Sequence, residues 1–177
     1  MEERLIAPWN QSKYLVGTSL MFLGPASYAY VNNMPFITAV LSVTSIVSAN
    51  FWRHANYSIR RDCDLIVAKC SMAIICYNGA IYVKEINSIA VRIVIGGLIT
   101  YSYYKSHLLY KRGIDKWLTY HVSFHLLITY EQFILITTIK DSDEKDMNSP
   151  RDSRLVIIFI MIYFMSFAIY FKYHSLS

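Results

Sequence analysis

Two histidines in an otherwise apolar stretch, YHVSFHLLITYEQF, are the residues of this chain best suited to chemistry. His121 and His125 are four residues apart, so on a helix their side chains lie on the same face. Two imidazoles at this spacing can bind one metal ion, as in helical HxxxH zinc sites. A catalytic zinc site has three protein ligands and an open position for water. The pair therefore supplies two of the three ligands that such a site needs.

The third ligand would have to come from elsewhere in the chain, which contains five histidines. His107 lies in a basic connection and His174 in the C-terminal tail. His54 follows an apolar segment in SANFWRHANYSIRRDCD and is the candidate third ligand. Thr129 and Gln132 continue the stripe of the histidine pair, and a polar stripe on an apolar helix is expected to face inward, away from lipid.

The composition indicates what positions these residues. Hydrophobic residues make up 55% of the 177 residues and charged residues only 16%, whereas a soluble domain needs roughly a quarter of its residues charged. The charges collect in short clusters between long apolar stretches, which is typical of a chain that crosses a membrane several times. The net charge of +5 is explained by Lys and Arg that flank the spans, so nucleic-acid binding is not predicted, and membrane lipids are the expected partners.

The sequence predicts an all-α fold, a single integral membrane domain that forms a polytopic bundle of about six transmembrane helices. A span requires about 20 mostly apolar residues. The predicted spans are residues 14–31, 35–52, 64–83, 88–104, 117–139 and 155–171. A kink is expected in the first at Gly24-Pro25, and residues 140–154 are expected to form a mobile polar loop.

Arg92, in the fourth span, is expected to reach the interface or to pair with Glu85.

The distribution of positive charge predicts the orientation of the bundle. With six spans, ten Lys and Arg fall on the side of the termini and five on the other side, so both termini are predicted to be cytoplasmic. The second span ends on the cytoplasmic side, where the third and fifth begin. Five residues are therefore expected at a similar depth near that face: His54, Asp62, Asp64, His121 and His125. Two further polar stripes, Thr44 with Ser48 and Asp64 with Ser71 and Asn78, are expected to face the bundle interior.

This set of residues resembles the CREST superfamily of membrane hydrolases, which includes the alkaline ceramidases and the progestin and adipoQ receptors. The family has Ser and His near the end of an early span, Asp at the start of the next, and an HxxxH pair in a late span. Here Ser48 and His54 match the first motif and Asp64 the second, with the pair of the fifth span as the third. The family places its Ser four residues before its His, a position that Asn50 occupies here, and usually has seven spans.

The resemblance implies a zinc-dependent hydrolase of lipid amides. His54, His121 and His125 would hold Zn²⁺, which lowers the pKa of its bound water to about 7. Asp64 would act as general base or orient the water, and Ser48 or Asn50 would contact the developing oxyanion.

Two other functions are consistent with the same residues. In a non-catalytic structural or assembly membrane protein, the polar stripes would join helices through hydrogen bonds. In a bis-histidine haem protein, each histidine of the pair would need a partner histidine on another helix, and only His54 is well placed.

Overall fold

The computed structural model of the protein describes residues 5–83 and 86–145, and within these residues the fold is helical. The helices are α1 Trp9–Leu20, α2 Leu23–Val31, α3 Pro35–Arg53, α4 Ile59–Tyr82, α5 Ile86–Lys111 and α6 Trp117–Lys145. The β pairing in this part of the chain is an isolated antiparallel bridge between Leu5 and Asn56. It holds the N-terminal segment against the turn between α3 and α4. The prediction of an all-α fold is confirmed.

Four of these helices are long and apolar enough to cross a membrane. They are α3, α4, α5 and the part of α6 from Trp117 to Asp141. A multi-pass helical membrane protein is thus the architecture that length and composition support. The predicted span at 155–171 lies outside the described residues, as do residues 146–154 of the predicted mobile loop. Residues 140–145 of that loop continue α6 as helix.

The first predicted span is divided into α1 and α2. The break comes at Met21 and Phe22, one turn before the expected kink at Gly24-Pro25. A proline ring within a helix clashes with the carbonyl group four residues earlier, which for Pro25 belongs to Met21. The chain relieves the clash with tighter bonds, from Phe22 N to Ser19 O (3.3 Å) and from Gly24 N to Met21 O (3.0 Å).

Apolar clusters mark the two ends of the bundle. One consists of Ala7, Leu15, Phe51, Trp52, Ala55 and Trp117. The other consists of Ala26, Ala29, Leu41, Ile75, Leu135, Ile136 and Ile139. Helices α1 and α2 run in the same direction and the chain reverses at each helix after them, so α1, α4 and α6 begin at the end where α3 and α5 finish. We call this end the basic end because of the Lys and Arg residues that it carries, and the other the opposite end.

Helix α6 has a central position, since it packs against α1, α2, α4 and α5. Helix α3 packs against α1, α2 and α4 on the other side. The interior between the two apolar clusters is lined with polar side chains. Ser19, Ser45, Ser48, Ser71 and His125 are all buried there. The fold thus places an unusually polar layer inside a bundle whose outer surface is apolar.

Arg92 occupies a different environment from the one predicted. Its residue surface is only 6% exposed, and its Nη2 lies 2.5 Å from Glu131 Oε1 on α6. The guanidinium group also lies directly over Gly79 of α4, where an added Cβ would be 2.6 Å from Nη2. Arg92 therefore joins three helices in the interior. The prediction that it reaches the interface is wrong, and the alternative partner Glu85 lies outside the described residues.

We expect Gly79→Ala to destabilise the protein by about 1–3 kcal/mol, the usual cost of overpacking. The new methyl group would displace the guanidinium of Arg92 from Glu131. The thermal unfolding midpoint of the detergent-purified protein measures the effect. Gly96→Ala is the matched control, because no atom lies within 4 Å of its added Cβ. Equal stability of the two variants would contradict this account of Gly79.

Candidate functional site

The histidine pair faces the interior of the bundle, as predicted. His125 is 4% exposed, and Thr129 and Gln132 of the same stripe are also buried. The ring centroids of His121 and His125 lie 5.1 Å apart. The two rings therefore stand side by side on the face that α6 turns toward the other helices.

Aromatic side chains surround the ring of His121. Its centroid lies 5.1 Å from that of Trp52, on α3, in an edge-on arrangement. Trp117 and Phe124 of its own helix are 6.1 Å and 5.6 Å away. The His125 ring has a comparable neighbour in Phe22, at 5.5 Å. The pair thus occupies a largely apolar setting. An imidazole nitrogen without a hydrogen-bond partner lowers the stability of the fold there.

Each histidine shares a hydrogen bond with a hydroxyl group from another helix. Nδ1 of His125 lies 3.0 Å from Oγ1 of Thr18 on α1. Nδ1 of His121 lies 3.1 Å from Oγ of Ser106 on α5. Thr18 also donates to the carbonyl oxygen of Leu15, at 3.3 Å. When Thr18 uses its only proton in that way, Nδ1 of His125 must be the donor, and Nε2 then carries the lone pair.

A second group of polar side chains lies on the other side of α1. Ser48 on α3 is buried, and its Oγ lies 3.0 Å from Oγ of Ser19. The carboxyl group of Asp64, near the start of α4, lies next to the hydroxyl group of Ser48. Because Thr18 and Ser19 are consecutive, the last turn of α1 contacts His125 on one side and Ser48 on the other. Side chains from α3, α4 and α6 therefore gather around this turn of α1.

The predicted polar stripes of α3 and α4 meet one another. Oγ1 of Thr44 lies 2.5 Å from Oγ of Ser71, and both residues are buried. Asn78, the third member of the α4 stripe, is half-buried and donates its amide to the carbonyl oxygen of Ile74, at 2.8 Å. The seven-residue spacing thus identified Asp64 and Ser71 as positions that face other helices. The amide of Asn78 instead makes its hydrogen bond within α4.

His54 and Asn50 do not join the gathered side chains. Both are exposed. Helix α3 ends at Arg53, and Ala55 takes the next buried position, with 1% exposure. Trp52 contacts His121 at the depth where a third ligand was expected. Within residues 5–83 and 86–145, there is no group of three or more His, Cys, Asp or Glu that could hold a metal ion.

Four residues of the interior were not predicted as partners of the site. Thr18, Ser19 and Ser106 supply the hydroxyl groups described above, and Glu131 pairs with Arg92. Hydroxyl residues within apolar spans are common and carry little signal by themselves. Glu131 was the more visible clue, because a carboxylate inside a span needs a partner.

Comparison with protein-family models, curated proteins and solved structures gave no match for this chain. The description of the site therefore depends on its own geometry.

A double-mutant cycle on Thr18 and His125 measures how strongly the site holds α1 to α6. We expect Thr18→Val and His125→Phe to show a coupling of about 0.6 kcal/mol, and at most about 1.7, as for other hydrogen bonds between membrane helices. The unfolding free energies of the wild type, both single variants and the double variant give this value. Thr137→Val is a control, because the Thr137 hydroxyl bonds only the carbonyl of Phe133 in its own helix. Additive effects of the Thr18 and His125 substitutions would contradict the contact.

Proposed function

We propose that the chain is a six-span integral membrane protein with a non-catalytic, structural role. The four apolar helices support its place in the membrane. Helices α1 and α2 together cover residues 9–31, and at 1.5 Å per residue they would extend about 35 Å, which is enough to cross the hydrocarbon core. The apolar residues 155–171 would supply the sixth span and bring the C-terminus back to the cytoplasmic side.

The observation that carries the structural role is the pairing of interior polar groups between helices. The pairs are Thr18 with His125, Ser19 with Ser48, Thr44 with Ser71, Ser106 with His121, and Arg92 with Glu131. Each pair joins two different helices, and together they connect α1, α3, α4, α5 and α6. Hydrogen bonds of this kind hold membrane helices together, since lipid provides no hydrophobic force to do so.

A second candidate function is the zinc-dependent hydrolysis of lipid amides. This function is favoured by the positions of Ser48, Asp64 and His125. These three residues come from different helices and lie around one turn of α1, so the fold brings together groups that could act on one substrate. Hydroxyl groups that fix Nδ1 of both histidines resemble the outer-shell partners of metal ligands. A general base and an oxyanion contact would then be available in Asp64 and Ser48.

The described residues fit a zinc ion incompletely. His121 and His125 offer two nitrogens, whereas a catalytic site requires three protein ligands. His54 is exposed beyond the end of α3, and His174 lies outside the described residues. The haem alternative gains no support from the described residues, because the rings around His121 are those of Trp52, Trp117, Phe124 and its neighbour His125.

Metal analysis of the detergent-purified full chain separates these functions. The structural role predicts no stoichiometric zinc in the wild type and no change in His121→Ala. One zinc per chain that is lost in His121→Ala would contradict a purely hydrogen-bonded role for the pair, and release of fatty acid from a lipid amide by the zinc-loaded chain would then establish the second candidate. His54→Ala is the second informative variant. It would lose zinc only if His54 is the third ligand of the metal.

Glycosylation mapping tests the number of spans. We expect an acceptor site inserted at residue 148 to be modified in the endoplasmic reticulum, and one appended after residue 177 to remain unmodified. With six spans and cytoplasmic termini, only the first lies on the lumenal side. An acceptor site inserted at residue 113, between α5 and α6, provides the cytoplasmic control. The same result at 148 and 177 would show that residues 155–171 do not cross.

A further inference from the structure

The basic end of the bundle carries a ring of cationic side chains. Its members are Lys13, Arg53, Arg60, Arg61, Lys111, Arg112 and Lys116, all exposed or half-buried. They come from α1, from the end of α3 and the start of α4, and from the end of α5 and the turn that follows it. At the opposite end, the one lysine whose side chain the structure describes is Lys140, which is exposed. The described charge is therefore strongly polarised along the bundle axis.

These seven cations have no carboxylate partner within the part of the chain that the structure describes. The ion pair found there, Arg92 with Glu131, lies in the interior. Asp115, which is close in sequence to three of the cations, instead accepts a hydrogen bond from Nε2 of Gln11, at 3.2 Å. Arg61 lies over the ring of Tyr57, 4.8 Å from its centroid, an interaction that leaves the positive charge in place. The seven cations outnumber the carboxylates described at this end, Asp62, Asp64 and Asp115, so the described part of the basic end carries net positive charge.

Exposed aromatic rings place this charge at the level of lipid headgroups. Trp9, Tyr14 and Tyr57 are each about half exposed at the basic end. Amphipathic rings of this kind lie at the boundary between the hydrocarbon and the headgroups of a bilayer. Lys13 is adjacent to Tyr14 in α1, with Nζ 5.2 Å from the ring centroid. Cations held beside such rings are at the depth of the phosphate groups.

We propose that the basic end is a binding surface for anionic phospholipids of the leaflet that it faces. The chemistry is the attraction between several unpaired cations and the negative headgroups, which is screened by salt. A surface cation contributes on the order of a fivefold preference for anionic over zwitterionic lipid. The proposal is independent of the structural role and of the hydrolase, because none of its residues belongs to the interior site.

The test uses the full chain reconstituted in phosphatidylcholine vesicles that contain one-fifth phosphatidylserine. Spin-labelled lipids of both types report the relative association of each with the protein. We expect a preference for phosphatidylserine that is lost in high salt. Arg60→Gln/Arg61→Gln and Lys111→Gln/Arg112→Gln should each lower it, by up to about fivefold for every cation removed. Lys140→Gln removes one positive charge at the opposite end and should leave the preference unchanged.

Three results would overturn the proposal. One is the absence of any preference in the wild type, and another is an equal loss in the Lys140 control. The third is displacement of the labelled phosphatidylserine by millimolar inorganic phosphate at constant ionic strength, which would assign the surface to a soluble anion. Association of labelled phosphatidylcholine, together with helix content from circular dichroism, verifies that each variant remains folded.

Discussion

A polar side chain inside a bilayer has no water to bind, so its position is decided by the protein groups that can satisfy it. The ion pair between Arg92 and Glu131 is the strongest case of this constraint. It brings α5 and α6 together and draws the guanidinium over Gly79 of α4. A Cβ at that position would overlap the guanidinium group, so a larger residue there would have to displace it from its present place. One interaction thus links the placement of three helices to the small size of Gly79.

The last turn of α1 has a comparable organising role in the interior between the two apolar clusters. Thr18 and Ser19 contact α6 and α3 through consecutive hydroxyl groups. The carbonyl oxygen of Ser19 also accepts a bond from Ser45, at 2.9 Å. Pro25 interrupts the helix just beyond this turn, which ends α1 at Leu20. The break therefore lies next to the most densely bonded part of the interior, where a short helix can adjust to its neighbours more freely than a continuous span could.

Features encoded by local pattern were predictable from the sequence. Helix α3 was expected at residues 35–52 and is found at Pro35–Arg53, because proline begins the helix and an apolar run continues it. The beginning of α6 at Trp117 and the inward stripe of His121 and His125 were also expected and are found. Periodicity reveals which face of a helix avoids lipid, and that information is contained within one segment.

Features that depend on distant parts of the chain were not predictable in this way. Arg92 pairs with Glu131 of another helix, and no pattern within α5 identifies that partner. His54 is exposed because α3 ends one residue before it, at Arg53, and the next residue, Ala55, takes the buried position instead. The sequence pattern placed His54 at the correct end of the bundle. The depth of a residue at a helix terminus does not determine whether its side chain points into the bundle or away from it.

The separation of Arg92 and Glu131 along the chain also bears on how the protein enters the membrane. Synthesis proceeds from the N-terminus, so Arg92 is made before Glu131, and this ion pair can form only after α6 has followed α5. The pair therefore contributes nothing to the insertion of α5 by itself. It stabilises the two helices once they stand together as a hairpin.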